Sequence, residues 1–249
     1  MGYNFPTGDT FTVLSWNVEH FVDSFDDPYI NKDREDNPSE HLGTKLRLFI
    51  KSIKEVNADI VVLQEFESEK YLQTLARDSF PELGYQFFSD APSPSWYMNV
   101  VLMSKFPLGV LRAYGDVTTP VTEYTNTEGQ NETQNHINTR MWSIQIFPAS
   151  NYNFWHTGVH LKAGKGERNT AMRKGQIQFL ETEFDQLIQI NPKANILMAG
   201  DFNAYPDSEE LGLLTDQSQD NYLIDTLSPS IYTHPSDIPK RRLDYILMN

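Results

Sequence analysis

The sequence predicts an α/β fold in which two packed sheets carry helices on their outer faces. Strands occur both in runs and in alternation with helices, which is the pattern of such layered architectures. Two strands are unbroken apolar quartets, Ile60-Val61-Val62-Leu63 and Ile196-Leu197-Met198-Ala199, as expected of strands buried on both faces. No Pro/Gly/Ser-rich divider and no fixed-period repeat interrupts the 249 residues, so the chain reads as one domain.

Residues 11–18 alternate in part and form the first strand, with Trp16-Asn17 near its end. A polar loop with Pro28 and Pro38 follows over 23–40. Thr44 is a candidate cap for a helix whose Leu46, Phe49, Ile50, Ile53 and Val56 share one face. Residues 59–65 are a buried strand, and Ser68 opens a helix to about 79. Segments 85–88, 99–103 and 108–114 are strands divided by Pro or Gly turns. Residues 116–138 read as a loop or irregular hairpin, then 140–147 and 153–160 as a strand pair. A long helix over 168–190 carries the stripe Ile177, Leu180, Phe184, Leu187 and Ile188. The strand into Asp201, a short helix over 208–214 and a last strand over 243–248 complete the chain.

A net charge of −14 argues against general coating of nucleic acid and suits a site that concentrates divalent cations. The absence of cysteine excludes disulfides and thiolate metal sites. No apolar run reaches the length of a membrane span. The compartment stays open between the cytoplasm and export with a leader removed, and a monomer is expected. The charge is uneven: residues 19–40 are acidic, with Asp23, Asp26, Asp27, Asp33, Glu35 and Asp36. Residues 160–174 are basic, with Lys162, Lys165, Arg168, Arg173 and Lys174 against Glu167. Either block alone reads first as solvated surface.

The most informative stretch is Gly200-Asp201-Phe202-Asn203. It follows a buried strand, where open α/β sheets place ligands beyond the strands' carboxyl ends. An acid there can take a proton and an amide can orient water, although Gly-Asp-x-Asn is also a good turn. Asn17 and Glu19 end the first strand and Gln64-Glu65 the second. A carboxylate directly after four apolar residues needs a partner, either an arginine or a cation. As an oxygen ligand it suits Mg²⁺, which takes one or two carboxylates and keeps several waters. His156 and His160 lie on a strand about 13 Å apart, too far for one zinc ion. His156 reads as a satisfied structural histidine. His160, at the strand exit beside Lys162, could hold a phosphate group as a protonated imidazole. Asp244, inside Arg241-Arg242-Leu243-Asp244-Tyr245-Ile246-Leu247, must pair with an arginine or orient a histidine.

In their order and spacing, Trp16-Asn17, Gln64-Glu65, His160, Gly200-Asp201-Phe202-Asn203 and Arg242-Leu243-Asp244-Tyr245 resemble the endonuclease/exonuclease/phosphatase superfamily, the group with the pancreatic-deoxyribonuclease-like fold. Asn99 to Leu108 resembles its strand–Ser–basic–aromatic–Pro segment, and His160-Leu161-Lys162 with Arg173 is similar to a bacterial branch. The resemblance implies a four-layer α/β sandwich and a hydrolase that uses a divalent cation, Mg²⁺ with Mn²⁺ or Ca²⁺ as alternatives. It implies Glu65 and Glu19 at the metal, and Asp201 with Asn203 at the attacking water. It also implies His160 at the phosphate as an acid, Asp244 orienting a histidine, and Asn17, Arg140 and Lys162 as phosphate-binding groups. The expected activity is in-line hydrolysis of a phosphodiester, nuclease-like, with nucleic acid among the candidate substrates. The alternatives are a phosphomonoesterase on a soluble or lipid phosphate, and an inactive ligand-binding relative.

One departure stands out. The family's Ser-Asp-His motif would follow Asp244, and the sequence stops at Asn249. Ser236-Asp237-Ile238-Pro239 precedes Asp244 and has Ile238 in place of the histidine, so it reads as a decoy. The expectation is a shortened domain that binds cations with low or no turnover. Ser95-Trp96-Tyr97, in a rim loop, could stack on a base or sugar but reads first as local packing.

Overall fold

The computed structural model describes residues 3–5, 9–91, 96–137, 140–216, 223–235 and 237–249. Strand β1 (Val13–Phe21) is followed by α1 (Asp33–Asp36), α2 (Leu42–Val56), β2 (Ile60–Phe66) and α3 (Glu69–Ser79). Then come β3 (Phe87–Ser89), β4 (Asn99–Ser104), β5 (Leu108–Ala113), β6 (Thr119–Thr125), β7 (Asn131–Gln134), β8 (Met141–Ala149) and β9 (Tyr152–His160). The chain closes with α4 (Glu167–Ile190), β10 (Ile196–Asp201), α5 (Glu209–Thr215), β11 (Ile224–Asp225) and β12 (Asp244–Met248).

One sheet has the order β1-β2-β4-β3, the other β11-β12-β10-β9-β8-β5. Both mix parallel and antiparallel pairs, since β1–β2 and β9–β10 run parallel. The apolar quartets do not alternate because each face meets its own core. Val61, Leu63, Val101 and Met103 pack beneath α2 and α3, whereas Ile60, Val62, Val100 and Leu102 lie between the sheets with Trp142, Ile144, Leu197 and Ala199. Ile196 and Met198 turn to the opposite side, onto Ile177, Leu180 and Phe184 of α4. The result is the four-layer sandwich, helices–sheet–sheet–helices. Trp142 Nε1 donates to the Val100 carbonyl at 2.7 Å and so ties one sheet to the other.

Ser68 caps α3 by accepting from the Tyr71 N–H. Thr44 does not cap α2: that helix begins at Leu42 after His41, which makes no side-chain cap, and Thr44 lies inside it. The 23–40 loop contains the short helix α1. Residues 119–134 form a two-stranded hairpin that packs on α4 so closely that a Cβ at Gly175 would stand 1.9 Å from the Pro120 carbonyl oxygen.

His156 is structural but not satisfied. It is fully buried, its two ring nitrogens have no hydrogen-bond partner, and burial pushes its pKa down to about 3. A neutral ring between Trp142 and Phe154 therefore occupies the inter-sheet layer.

Candidate active site

Four strands end at one place. In the second sheet, Asp201 is in register with His160 on one side and with Asp244 on the other. From the first sheet, Asn17 pairs with Gln64, and the ladder then slips before resuming at Phe21 and Phe66. That slip exposes Glu65, which itself sits at a bulge between β2 and β4. Bulges re-aim side chains at sheet rims. Glu19, His20, Glu65 and Asn203 all have positive φ, between 49° and 59°. Backbone held in this region by non-glycine residues gathers where function requires it.

The side chains converge across the two sheets. Asn17 Nδ2 donates to Glu65 Oε1 at 3.3 Å and to Asp201 Oδ2 at 3.0 Å. His160 Nε2 stands 3.8 Å from Glu65 Oε1 and 3.9 Å from Asp201 Oδ2. The Asn203 N–H donates to Asp201 Oδ1 at 2.8 Å, and its amide donates to the Leu161 carbonyl. Gly200 makes this approach possible: its φ is +152°, and a Cβ there would meet the Val159 carbonyl oxygen at 1.9 Å. Beside Asn203 opens a cavity of about 470 Å³, lined in part by Lys165, Tyr205 and Arg241.

Burial raises the Asp201 pKa to about 7, with the Asp244 carboxylate adding to the rise and the Asn17 and Asn203 donors opposing it. Burial also raises Asp244, against Thr233, His234 and Arg242. His160 is pushed down to about 3, by burial first and then by Arg140, His20 and Lys162. Burial and the neighbouring cations thus favour the neutral imidazole, whereas the sequence reading has His160 hold phosphate as a protonated one. Burial lowers Arg140, against the pull of Glu65, and lowers Lys162 together with Arg140. The Arg140 guanidinium lies 5.8 Å from the Trp96 ring.

Some expected residues have other partners. Glu19 is exposed at the rim; its N–H donates to Asn17 Oδ1, and Lys45 reaches its carbonyl. Arg242 is buried against Asp225 at 2.7 Å and over Tyr245, so the buried arginine–aspartate bridge of this segment does not involve Asp244. The basic run is largely neutralised: Arg168 pairs with Glu132, Arg173 with Glu210, and Lys174 with Glu123 and Glu209. Arg173 is buried and also donates to the Lys162 and Gly164 carbonyls, so it braces the loop after β9. Tyr97 is buried and bonds His20, which makes it local packing; Ser95, Asn138, Thr139 and Ser236 lie outside the described residues.

His20 was not foreseen. Its N–H donates to Glu65 Oε2 at 3.1 Å, and its ring meets Tyr97 and Arg34. Its place one residue past Glu19, at a strand end already rich in polar groups, was the available signal.

Two mixed sheets face to face, with helices outside and polar groups gathered at one end of the strands, define the class of fold. The chain belongs to the Endonuclease/Exonuclease/phosphatase family, whose model matches residues 14–249. Among solved structures it is similar to sphingomyelinase C from Streptomyces griseocarneus (16% identity, 96% of this chain and 83% of that one, TM-score 0.64). It is also similar to the human nocturnin catalytic domain with bound sulfate (21%, 96% and 81%, 0.59) and to an endonuclease/exonuclease/phosphatase family protein from Bacteroides thetaiotaomicron (12%, 96% and 82%, 0.60). At these identities the likeness is one of fold. No curated protein matches the chain. Among the described residues no helix is long and apolar enough to cross a membrane.

Proposed function

We propose that the chain is a divalent-cation-dependent phosphoesterase that cleaves a phosphodiester bond by in-line attack of water. The observation that carries this reading is the meeting of Asn17, Glu65, His160 and Asp201 from four strands, with hydrogen bonds or approaches of 3.0–3.9 Å. Glu65, Asp201 and Asp244 bring three acids to one cleft, while the nearby imidazoles are held neutral by burial. That donor set fits a hard cation such as Mg²⁺ on Glu65, with water completing the shell and Glu19 at the rim. A cation there would neutralise charge on the phosphoryl oxygens.

The chain's own groups supply the rest. Asp201, fixed through both oxygens by Asn17 and Asn203, is oriented to accept a proton from the attacking water, and a base poised near neutrality is suited to that task. Asp244 raises the proton affinity of Asp201. His160 can donate a hydrogen bond to a phosphoryl or leaving oxygen, and Arg140 and Lys162 supply positive charge beside it.

The test is hydrolysis of bis(p-nitrophenyl) phosphate with Mg²⁺ or with EDTA. Turnover, however low in the parent, should require the cation and fall by about a thousandfold or more in Asp201→Ala. Equal rates for the folded variant and the parent would end the assignment. A second reading, a phosphomonoesterase on a soluble or lipid phosphate, is favoured by the pairing of Arg168, Arg173 and Lys174 with acids, which leaves little basic track for a polyanion. A steep fall of substrate affinity with salt would mark a polyanion, and a shallow one a single phosphate.

A further inference from the structure

The loop between β1 and α2 carries an acidic cluster apart from the cleft. Carboxylate oxygens of Asp26, Glu35 and Asp36 all lie within 4.8 Å of one another. Exposed acids often gather without a ligand, but Glu35 is not exposed: it retains 1% of its accessible surface. Its Oε1 accepts from the Asp27 N–H at 2.8 Å, and its Oε2 is buried with no donor on it; burial and then the Asp36 carboxyl beside it raise the Glu35 pKa. An unpartnered buried carboxylate oxygen is costly unless a proton or a cation meets it. Over residues 23–40 the only lysine or arginine side chains are Lys32 and Arg34. Both are engaged elsewhere, Lys32 over the Trp96 ring and Arg34 on His20.

We propose that Asp26, Glu35 and Asp36 form a second divalent-cation site, distinct from the cleft around Glu65. Three carboxylates in an irregular loop exceed the one or two that Mg²⁺ takes, and they match the flexible all-oxygen shell of Ca²⁺. The consequence reaches the cleft. Glu35 and Asp36 belong to α1, whose Arg34 bonds the His20 ring, and the His20 N–H holds Glu65. A cation bound to α1 therefore fixes the arm that touches the residue next to the proposed catalytic cation.

Calorimetric titration with CaCl₂ at neutral pH tests this. Glu65→Gln, which disables the cleft, should still bind one Ca²⁺, and adding Glu35→Gln should weaken that binding at least tenfold. Because Glu35 is buried, Asp26→Asn, a change at an exposed carboxylate, serves as the folded control and should weaken the same site about fivefold. The proposal is overturned if Glu65→Gln binds no Ca²⁺, or if its binding is indifferent to both further changes. If the parent and Glu65→Gln bind alike and Glu35→Gln removes that binding, the loop site stands and the assignment of a cation to Glu65 fails.

Discussion

Replacing Asp201 by asparagine should make the protein less stable below about pH 4 and more stable in mild alkali. The Asp201 carboxyl has its pKa raised from 3.8 to about 7, mainly by burial and then by Asp244. A carboxyl raised in this way binds its proton more tightly folded than unfolded. Its stabilising contribution is therefore complete below the unfolded pKa of 3.8 and is lost progressively as the pH climbs from about 4 through 7. A rise of this size is worth at most about 4 kcal/mol at 1.36 kcal/mol per pH unit. Relaxation and water entry bring that to about 2 kcal/mol. Asparagine cannot ionise, but its amide keeps one acceptor where Asp201 offers two, to the Asn17 amide and the Asn203 N–H. The lost hydrogen bond costs about 1 kcal/mol at every pH. Urea unfolding in EDTA should thus place Asp201→Asn about 1 kcal/mol below the parent at pH 3.5, nearly level with it at pH 5 and about 1 kcal/mol above it at pH 8. Parallel stability curves across that range would show that Asp201 does not carry a raised pKa, and the base proposed for the attacking water would lose its physical ground.

Two further changes probe how the cleft is built. Gly200→Ala puts a Cβ 1.9 Å from the Val159 carbonyl oxygen at a φ of +152°, so about 3 kcal/mol should be lost. For a domain of this size that is a fall of roughly 6–12 °C in Tm, and a scan showing less than 2 °C would contradict the close approach of β9 and β10. Arg173→Ala strands the buried Glu210 and two backbone carbonyls, with an expected loss of about 3–5 kcal/mol in urea unfolding. If stability instead holds and phosphate affinity collapses, Arg173 belongs to substrate binding after all.

The layers and the strand-end polar groups were legible because each rests on local chemistry. An apolar quartet must be buried on both faces, and an acid at its end must find a partner. Ser68 was readable as the start of a helix, whereas the cap read at Thr44 lies inside α2. What the sequence alone determined is the longer helices and strands, the family they resemble, and the positions Asn17, Glu65, His160, Asp201 and Asp244 as polar groups at buried strands; the short α1 and β11 were not read from it. What only the tertiary structure decided is partnership. Along the chain Arg173 belongs to a basic run and Arg242 is a candidate partner for Asp244, yet Glu210 and Asp225 take them, because buried charges pair with whatever the packing brings near. His20 enters the cleft through a slip in the β1–β2 register, which local periodicity does not encode. His156 is left with no partner because the facing sheet, distant in sequence, presents it with apolar groups. Contacts between sheets depend on strands many residues apart, so their chemistry is written in the fold rather than in any one stretch of sequence.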